Sequence, residues 1–451
     1  MTTNRRLLYK KDAEHFFSIA QLSDIFSSLD PSAAYGVDRI KKAGMARTIS
    51  QSLMLIQHKV VEETYRFTRF RQVLLSKGAT SAPRVLSIPT LRDKVVLRAM
   101  LAALREAFPE ASGIPVWKIA IEVAAAIRSG AYDTILRVDI ESFYPSIRHD
   151  KLLRQLRTRV RAKMLIHLLR NVLETPTSPI HDPGSSERSR RGVPQGLPVS
   201  NALANIYFME TDDDLTCPDP HFGSLGWRYW RFVDDIIVLC RQADAEHVLS
   251  LIRTHCKTLG LKVHPSKTKT RSTQDPFEFL GYEWIDGHLR VRARTVRRLE
   301  DSLAGMFARH ARGAMGNERE FLFRLNARIT GVTYDHKKYG WLFFFGQTED
   351  VSQLHHLDHL IQTLMQRYKF SAPNGMAVRR FVRAYYEIKY NLRDTHYIPC
   401  LDKSMAEMRR LLRHLHGAIV DSYSDSQVEA MYTALTRNVI KEAERDLQQL
   451  S

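Results

Sequence analysis

The chain has few cysteines and no long apolar run, and each of these features excludes some classes of protein. Its 451 residues include 4 cysteines, none at the paired spacing of a zinc ligand set or a redox motif. We therefore expect reduced cysteines in a cytoplasmic protein, not a disulfide framework. No stretch reaches the roughly 18 apolar residues that a membrane-spanning helix needs. The opening segment also lacks the apolar centre of a secretory signal, so no such signal is expected.

Acidic residues are in short supply relative to basic ones. Lys and Arg number 67 against 49 Asp and Glu, which gives a formal net charge of +18. A surplus of this size favours a polyanionic partner, with nucleic acid first and an anionic membrane surface second. The basic residues are spread along the chain instead of forming a tail, which favours a lined channel over an electrostatic anchor. The length suits about two or three domains with a large core.

Two adjacent acids interrupt the most apolar and aromatic stretch of the chain. Residues 228–239 read RYWRFVDDIIVL, and runs this rich in Ile, Val, Phe and Trp are typical of buried strands. Asp234 and Asp235 are then expected at the bend of a hairpin. Neighbouring carboxylates repel each other and resist desolvation, so they favour a bound cation. The alternative is a solvated turn, because Asp-Asp is a common dipeptide.

A third acid ends an earlier strand. Residues 134–140 read TILRVDI, and the alternation predicts one buried face, with Arg137 and Asp139 together on the other. If Asp139 meets Asp234 and Asp235, three carboxylates can hold two divalent ions, which align the attacking and leaving oxygens of phosphoryl transfer. Hard ions such as Mg²⁺ suit an all-carboxylate site better than zinc does.

Five segments of the chain resemble motifs A to E of reverse transcriptases, in the family's order. Motif A corresponds to DIESFY from Asp139, motif B to GVPQGLPVSN from Gly192, motif C to FVDD from Phe232, motif D to HPSKT from His264, and motif E, the primer grip, to FEFLGY from Phe277. Any one of these segments is a weak signal, whereas five in order are specific. The resemblance covers roughly residues 35–282.

The resemblance implies an α+β fold of the right-hand polymerase type. Fingers and a palm with a split βαβ sheet are expected first, followed by an all-helical thumb and C-terminal domain. The expected boundaries are 1–130 for a helical N-terminal region and the fingers, 131–290 for the palm with motifs A to E, and 291–451 for the thumb and C-terminal domain. Residues 1 to about 75 are expected to be helical, and the spacings Ser404–Glu407 and Ser426–Glu429 predict capping boxes for the last two helices.

The resemblance also implies roles for individual residues. The expected catalytic residues are Asp139, Asp234, Asp235 and Lys267, the last as a general acid near the leaving pyrophosphate. The expected metal positions are Asp139, Ile140, Asp234 and Asp235. Substrate binding is expected at Lys77, Arg84, Tyr144, Gln195 and Gly196. The primer grip is expected at Phe279, Leu280, Gly281 and Tyr282.

Each substrate contact has a physical reason and a simpler alternative. Lys77 and Arg84 are expected to hold the triphosphate of the nucleotide, the arginine through its planar fork, and the alternative is solvated charge on an edge strand. Tyr144 is expected to exclude a ribose 2′-hydroxyl by clash, which selects deoxynucleotides, and the alternative is core packing. Gln195 is expected to touch the nucleotide or the template, and Gly196 to let the backbone approach a base pair closely.

Three further clusters are interpreted as ordinary structure. The acids at 212–214 are expected to form a solvated helix end and not a metal site. The aromatic segment 339–345 is typical of a core or an interface. His355 and His359 lie one turn apart, but their apolar neighbours favour an amphipathic helix over a metal site.

The function expected from the resemblance is that of a nucleotidyltransferase, an RNA-directed DNA polymerase. It would use two Mg²⁺ ions, with Mn²⁺ as an alternative. Its partners would be an RNA template, deoxynucleoside triphosphates and a DNA product, without a membrane. A dedicated noncoding RNA, a second reverse transcriptase and a second copy of the chain stay open as further partners.

Within the family, the chain resembles the unknown-group and abortive-infection enzymes of bacteria. Residues 201–205 lack the histidine of the retron motif, and neither a maturase nor a nuclease region is recognisable. This resemblance implies a role in defence against phage. The alternatives are a reverse transcriptase of a mobile element, of the group II intron or retron type, and a catalytically silent RNA-binding scaffold.

Overall fold

The structure is a computed structural model that describes residues 7–30, 34–75, 82–181, 190–216, 226–373 and 375–447. Its helices are α1 (Lys10–His15), α2 (Ile19–Ser28), α3 (Lys42–Ala46), α4 (Ile49–Val61), α5 (Leu91–Ala107), α6 (Val116–Arg128), α7 (Phe143–Ser146), α8 (His149–Leu156), α9 (Lys163–Glu174), α10 (Ser200–Thr216), α11 (Ala245–Leu259), α12 (Ala293–Ala311), α13 (Glu318–Thr330), α14 (Trp341–Phe345), α15 (Val351–Arg367), α16 (Phe381–Tyr390), α17 (Met405–His416) and α18 (Asp425–Ala443). Its strands are β1 (Phe70–Leu75), β2 (Arg84–Ile88), β3 (Thr134–Glu141), β4 (Thr177–Ser178), β5 (Trp227–Phe232), β6 (Asp235–Cys240), β7 (Lys262–Val263), β8 (Lys269–Ser272), β9 (Phe277–Phe279), β10 (Tyr282–Ile285), β11 (His288–Val291), β12 (Val332–Tyr334) and β13 (Lys337–Tyr339).

The chain divides into two compact units. The first contains Met1–Ile114 and Thr134–Thr270, and the second contains Pro115–Asp133 and Arg271–Ser451. Both units mix helices with strands, which confirms the α+β class. Within the described ranges, none of the helices combines the length and the apolar character that a bilayer crossing requires.

The central sheet of the first unit brings the predicted acidic strands together. Its strand order includes β5-β6-β3-β7, and β3 pairs antiparallel with both β6 and β7. Residues 236–240 of β6 are buried throughout because helices α10 and α11 pack onto this sheet. The β3–β6 register places Asp139 opposite Asp235. The hairpin predicted around residues 228–240 is therefore present, and its bend lies beside the end of β3.

A second small sheet in the first unit contains β2, the strand on which Arg84 of the expected fingers lies. Strands β1 and β2 pair antiparallel, and β1 also pairs with β4. The prediction that residues 1–75 are helical is wrong at its end, because β1 begins at Phe70. Pairing on both sides of β1 outweighs the local preference for helix. Lys77 lies outside the described residues.

The second unit is rich in helices but not all-helical beyond residue 291. Strands β12 and β13 form a hairpin whose two loop residues, Asp335 and His336, have positive φ of 50° and 57°. This is the backbone that a tight two-residue turn requires. A Cβ on Gly331 would lie 2.7 Å from the Tyr339 carbonyl oxygen, so only glycine fits at the base of the hairpin. The all-helical prediction is therefore wrong for residues 332–339.

Helix ends in the second unit follow capping chemistry. Ser404 and Glu407 form the predicted capping box of α17, which is thereby confirmed. Helix α18 instead uses Ser424 and Gln427, two residues before the predicted pair. Ser424 is the N-cap residue because its side-chain oxygen accepts a hydrogen bond from the backbone N–H of Gln427.

Candidate active site

The acids of motifs A and C lie side by side in the first unit. Asp139 is the third residue from the end of β3, and Asp234 occupies the turn between β5 and β6. The backbone N–H of Ile140 donates to the Asp234 carbonyl oxygen at 3.1 Å, which ties the turn to β3. The sheet register then sets Asp235 opposite Asp139. Asp139 and the adjacent pair Asp234–Asp235, which lie far apart in the sequence, therefore meet at one end of the paired strands β3 and β6.

The turn that presents Asp234 is held in a strained conformation. Val233 has φ 58°, and a β-branched residue adopts this left-handed region only when its surroundings impose it. Arg231 supplies part of that support, because its Nη1 donates to the Val233 carbonyl oxygen at 2.8 Å. The backbone strain lies directly beside the predicted catalytic acid.

A buried polar network fixes Arg231 in turn. Its Nε donates to Asp212 Oδ1 at 2.8 Å, and its Nη1 donates to Asn205 Oδ1 at 3.1 Å. The hydroxyl of Tyr229 also donates to Asp212, at 2.7 Å. Only 6% of the Arg231 side chain is exposed, against 28% of the Asp212 side chain, so the guanidinium is nearly desolvated. The interpretation of Asp212 as part of a solvated helix end is therefore wrong.

The three predicted acids have different electrostatic surroundings. Burial raises the pKa of Asp234, and the nearby charges of Asp139 and Asp235 raise that pKa further. The carboxylate of Asp235 is bound at both oxygens by Arg137, whose Nε and Nη2 lie at 3.1 and 3.0 Å. Asp139 accepts a single bond from Lys267 Nζ, at 3.0 Å. Asp234 is the acid whose charge is compensated least.

A divalent cation at Asp139 would compete with Lys267, and one at Asp235 would compete with the two-point contact from Arg137. Among the residues that the structure describes, no three His, Cys, Asp or Glu side chains form a ready-made metal cluster. Asp139 and Asp234 nevertheless supply hard oxygen donors, and burial first, then the charges of Asp139 and Asp235, raises the pKa of Asp234, which a bound cation would offset. The Ile140 side chain is buried and apolar, so this residue could offer only its carbonyl oxygen.

Two predicted substrate-binding residues lie close to the acids. The positive charge of Arg84, on β2, acts on both Asp234 and Tyr144. Burial, followed by the charge of Asp234, raises the pKa of Tyr144 to about 12, so its hydroxyl stays protonated. That hydroxyl donates to Asn201 Oδ1 at 2.6 Å, which fixes the ring. The structure thus brings Arg84 and Tyr144 to the site, and adds Asn201.

The motif B loop packs against the fingers strand β2. The backbone N–H of Ser87 donates to the Gln195 carbonyl oxygen at 2.7 Å. Gly196 has φ 93°, and a Cβ there would lie 3.4 Å from the Ser87 carbonyl oxygen. The glycine is thus needed for its positive φ, which other residues rarely adopt, while a Cβ at this position would only make ordinary contact with β2. The half-buried Gln195 side chain stays a predicted contact to nucleotide or template.

The motif E residues form the turn between β9 and β10 in the second unit. Phe279 and Tyr282 are 1% and 0% exposed, and the Tyr282 hydroxyl donates to the Phe344 carbonyl oxygen at 2.8 Å. A Cβ on Gly281 would lie 3.0 Å from the ring of Phe345. The two aromatic side chains are therefore committed to the core, and any contact to a primer is left to the turn at Leu280 and Gly281.

Sequence reasoning assigned no role to Arg137, Asn201 or Arg231. A signal existed for Arg137, because strand alternation places it on the same face as Asp139. Antiparallel register then sets it diagonally across from Asp235, within reach of a long side chain. The partners of Arg231 and Tyr144 come from helix α10, and nothing in a single sequence fixes how that helix lies on the sheet.

Comparison with known proteins finds a matching family model, sequence relatives and a structural neighbour. Residues 75–284 match the family model described as reverse transcriptase (RNA-dependent DNA polymerase). Protein YkfC of Escherichia coli (strain K12) is 24% identical over 320 residues, which cover 60% of this chain and 82% of that protein. The retron Mx162 reverse transcriptase of Myxococcus xanthus is 26% identical over 206 residues, 41% of either chain. A solved telomerase from Candida albicans, in complex with a fragment of telomeric RNA, covers 91% of this chain and 66% of its own at 11% identity and a TM-score of 0.42.

Proposed function

We propose a function from the premise that this chain carries a reverse transcriptase domain and is an RNA-directed DNA polymerase. The proposed function is the extension of a primer by two-metal phosphoryl transfer at Asp139 and Asp234. The observation that supports this most directly is the junction of β3 with the β5–β6 turn. There the Ile140 N–H binds the Asp234 carbonyl oxygen at 3.1 Å and sets the two acids next to each other.

Reverse transcriptases generally use divalent metal ions. Asp139 and Asp234 are the residues proposed to hold these ions here. When bound, such ions stabilise the charge that develops on the phosphate oxygens. Asp235 stays a predicted ligand, but it would first have to release Arg137. Lys267 neutralises Asp139 in this structure and is the proposed proton donor to the leaving pyrophosphate.

The other site residues position the substrate. Arg84 would hold the triphosphate, because its positive charge acts on the Asp234 carboxylate and a guanidinium suits phosphate oxygens. The ring of Tyr144, fixed by Asn201, would occupy the place of a ribose 2′-hydroxyl and so select deoxynucleotides. Gln195 and the turn at Leu280 and Gly281 are proposed to touch template and primer.

A primer-extension assay tests this proposal. The full chain is supplied with Mg²⁺, an RNA template, a DNA primer and deoxynucleotides, and its activity is compared with that of Asp139→Asn and Asp234→Asn. We expect extension by the wild type and its loss in both variants. Absence of incorporation on any primer by the wild type would instead support a silent RNA-binding scaffold.

The biological role that we propose is defence against phage. It is supported by the resemblance to abortive-infection enzymes and by Asn205, which stands where retron enzymes have histidine and here binds Arg231 and the Ala111 carbonyl oxygen. Plaque formation on cells that express the wild type should fall relative to cells that express Asp234→Asn. Equal plaque counts would contradict the role.

A mobile-element enzyme is the second candidate, because one relative of this chain is a retron reverse transcriptase. Sequencing the nucleic acid that copurifies with the chain distinguishes the two. Complementary DNA of an element's own transcript would favour the mobile element, whereas another RNA or its DNA copy would favour defence.

A further inference from the structure

We propose that the second unit carries a binding site for single-stranded RNA on helix α16 and the segments that flank it. We name this surface the α16 face and define it as Arg379, Arg380, Arg383, Tyr386, Tyr390 and Tyr397. The inference rests on the proposed function, because an enzyme that copies RNA must hold an unpaired RNA strand outside the duplex that it synthesises.

Two exposed tyrosines on α16 provide flat apolar surfaces. Tyr386 and Tyr390 are 45% and 73% exposed. They lie one helical turn apart, with ring centroids 6.2 Å apart and ring planes within 14° of parallel. The adjacent Tyr385 is instead buried and donates its hydroxyl to the Thr348 carbonyl oxygen at 2.9 Å. The core thus uses one tyrosine of this helix and leaves two parallel rings in solvent, where unpaired bases can stack.

Arginines beside these rings are held in place by a third tyrosine. The guanidinium of Arg383 lies 4.3 Å from the Tyr397 ring centroid, and that of Arg379 lies 5.2 Å from it. Tyr397 is itself anchored, since its hydroxyl accepts the Arg380 backbone N–H at 2.7 Å. Guanidinium groups that are already ordered lose little entropy when they bind phosphate oxygens. Within the described part of the chain, Arg379 Nη1 is buried without a hydrogen-bond partner.

Two open clefts meet at these arginines. One, of about 400 Å³, is lined by Asn326, Arg379 and Tyr397, and the other, of about 470 Å³, by His355, Tyr386 and Tyr390. Arg380 and Arg383 border both clefts. Volumes of this size fall in the lower part of the range of about 300–1,000 Å³ typical of small-ligand sites. Each cleft is therefore large enough for one nucleotide, and a phosphate that links two nucleotides would pass the shared arginines.

The acids near the α16 face are already engaged. Asp358 accepts the backbone N–H groups of Phe381 and Val382 at 2.6 and 3.3 Å. Glu387 lies 3.6 Å from Arg383 Nε and accepts a hydrogen bond from Asn391. Both acids line the second cleft, but the three arginines of the α16 face outnumber them, so the surface keeps a net positive charge that matches a polyanion. An acidic peptide would offer charge but no bases to stack on the tyrosines, and the DNA product is paired with its template, so single-stranded RNA fits best.

A binding assay on the full chain tests the proposal. The background is Asp234→Asn, preloaded with unlabelled primer–template duplex, and the probe is a short, unstructured, fluorescently labelled RNA. Tyr386→Ala with Tyr390→Ala should weaken RNA binding about tenfold or more. Arg380→Gln with Arg383→Gln should weaken it as well and lower the salt-dependence slope by about 1 to 2.

Matched controls separate this site from a general loss of aromatic or basic surface. Trp117→Ala, on α6 of the same unit and 42% exposed, should bind RNA like the background. Arg413→Gln, 61% exposed, should do so too, and Tyr386→Phe with Tyr390→Phe should keep binding because the rings remain.

Three results would overturn the proposal. The first is unchanged RNA binding in the tyrosine-to-alanine variant. The second is that single-stranded DNA binds to the background protein as tightly as the RNA does. The third is that polyglutamate displaces the RNA as effectively as unlabelled RNA does. The assay requires no catalysis. Its failure is therefore distinct from failure of the polymerase proposal, which is tested by nucleotide incorporation in the wild type.

Discussion

Arg137 and Asp235 form a two-point ion pair across strands β3 and β6. The Arg137 Nε lies 3.1 Å from Asp235 Oδ1, and its Nη2 lies 3.0 Å from Oδ2. Both carboxylate oxygens are thus engaged by a planar fork, the strongest form of such a pair. Asp235 is therefore less available to a cation than its neighbour Asp234, although the two acids are adjacent in the sequence.

The Arg137–Asp235 pair predicts unequal effects of neutralising the three acids. Asp139→Asn and Asp234→Asn should each reduce primer extension by at least about 10²-fold, because each replaces a charged carboxylate that would hold a divalent ion with a neutral amide. Asp235→Asn should reduce it about tenfold or less. The measurement is the rate of single-nucleotide incorporation at saturating substrate.

The unfolding midpoints of the three variants serve as the control for folding. An Asp235→Asn enzyme as inactive as Asp139→Asn would show that Asp235 releases Arg137 and acts directly in the reaction.

The contact between Tyr144 and Asn201 predicts how the sugar is selected. Tyr144→Ala removes the ring and should raise the relative use of ribonucleotides by about 10- to 100-fold, because discrimination by clash is lost. Tyr144→Phe loses only the 2.6 Å hydrogen bond to Asn201 and should keep most of the selectivity. Competition between deoxynucleotides and ribonucleotides on one template measures this ratio.

If the Phe variant accepts ribonucleotides as readily as the Ala variant, the hydroxyl and not the bulk of the ring is responsible. If neither variant changes the ratio, Tyr144 is a packing residue.

The sequence was sufficient where a pattern is local. Strand alternation identified β3, and apolar runs around two acids identified the β5–β6 hairpin, because each depends on a repeat of two residues. The capping box at Ser404 is equally local. These elements were predicted together with the acids that they carry.

The sequence was insufficient where an interaction depends on how elements pack. The α10 helix delivers Asp212 to Arg231 and Asn201 to Tyr144, and neither pairing has a sequence spacing that reveals it. The β12–β13 hairpin was missed for a different, local reason. Its turn uses Asp335 and His336 with positive φ instead of the usual Asn-Gly or Gly-Gly.

The Arg231–Asp212 pair predicts a large loss of stability when one partner is removed. Asp212→Ala leaves a guanidinium that is 6% exposed without its charge partner, which should lower the free energy of unfolding by about 3 kcal/mol or more. Asp214→Ala, on the same helix and 63% exposed, should change it by less than about 0.5 kcal/mol. Urea unfolding at neutral pH measures both values.

The same substitution should also reduce incorporation, because Arg231 supports the strained Val233 turn. Equal unfolding free energies for Asp212→Ala and Asp214→Ala would mean that Arg231 finds another partner or solvent.

The raised pKa of Asp234 predicts that this acid weakens the fold that presents it. Burial, with the charges of Asp139 and Asp235, raises the folded-state pKa above the unfolded value. The folded state then holds the proton more tightly, so stability falls as pH rises from the ordinary Asp pKa through the raised one. Asp234→Asn should therefore increase the free energy of unfolding at pH 7 by about 0.5–2 kcal/mol, a gain typical of relieving strain at a functional site.

Urea unfolding in EDTA over a series of pH values measures this effect. The advantage of Asp234→Asn should shrink as the pH falls, because the wild-type acid then becomes neutral. Adding Mg²⁺ at pH 7 should stabilise the wild type more than the variant, since a ligand that binds only the folded state raises its stability. A variant that is less stable than the wild type in EDTA at pH 7 would show that the Asp234 carboxylate contributes a favourable interaction to the fold that outweighs its burial.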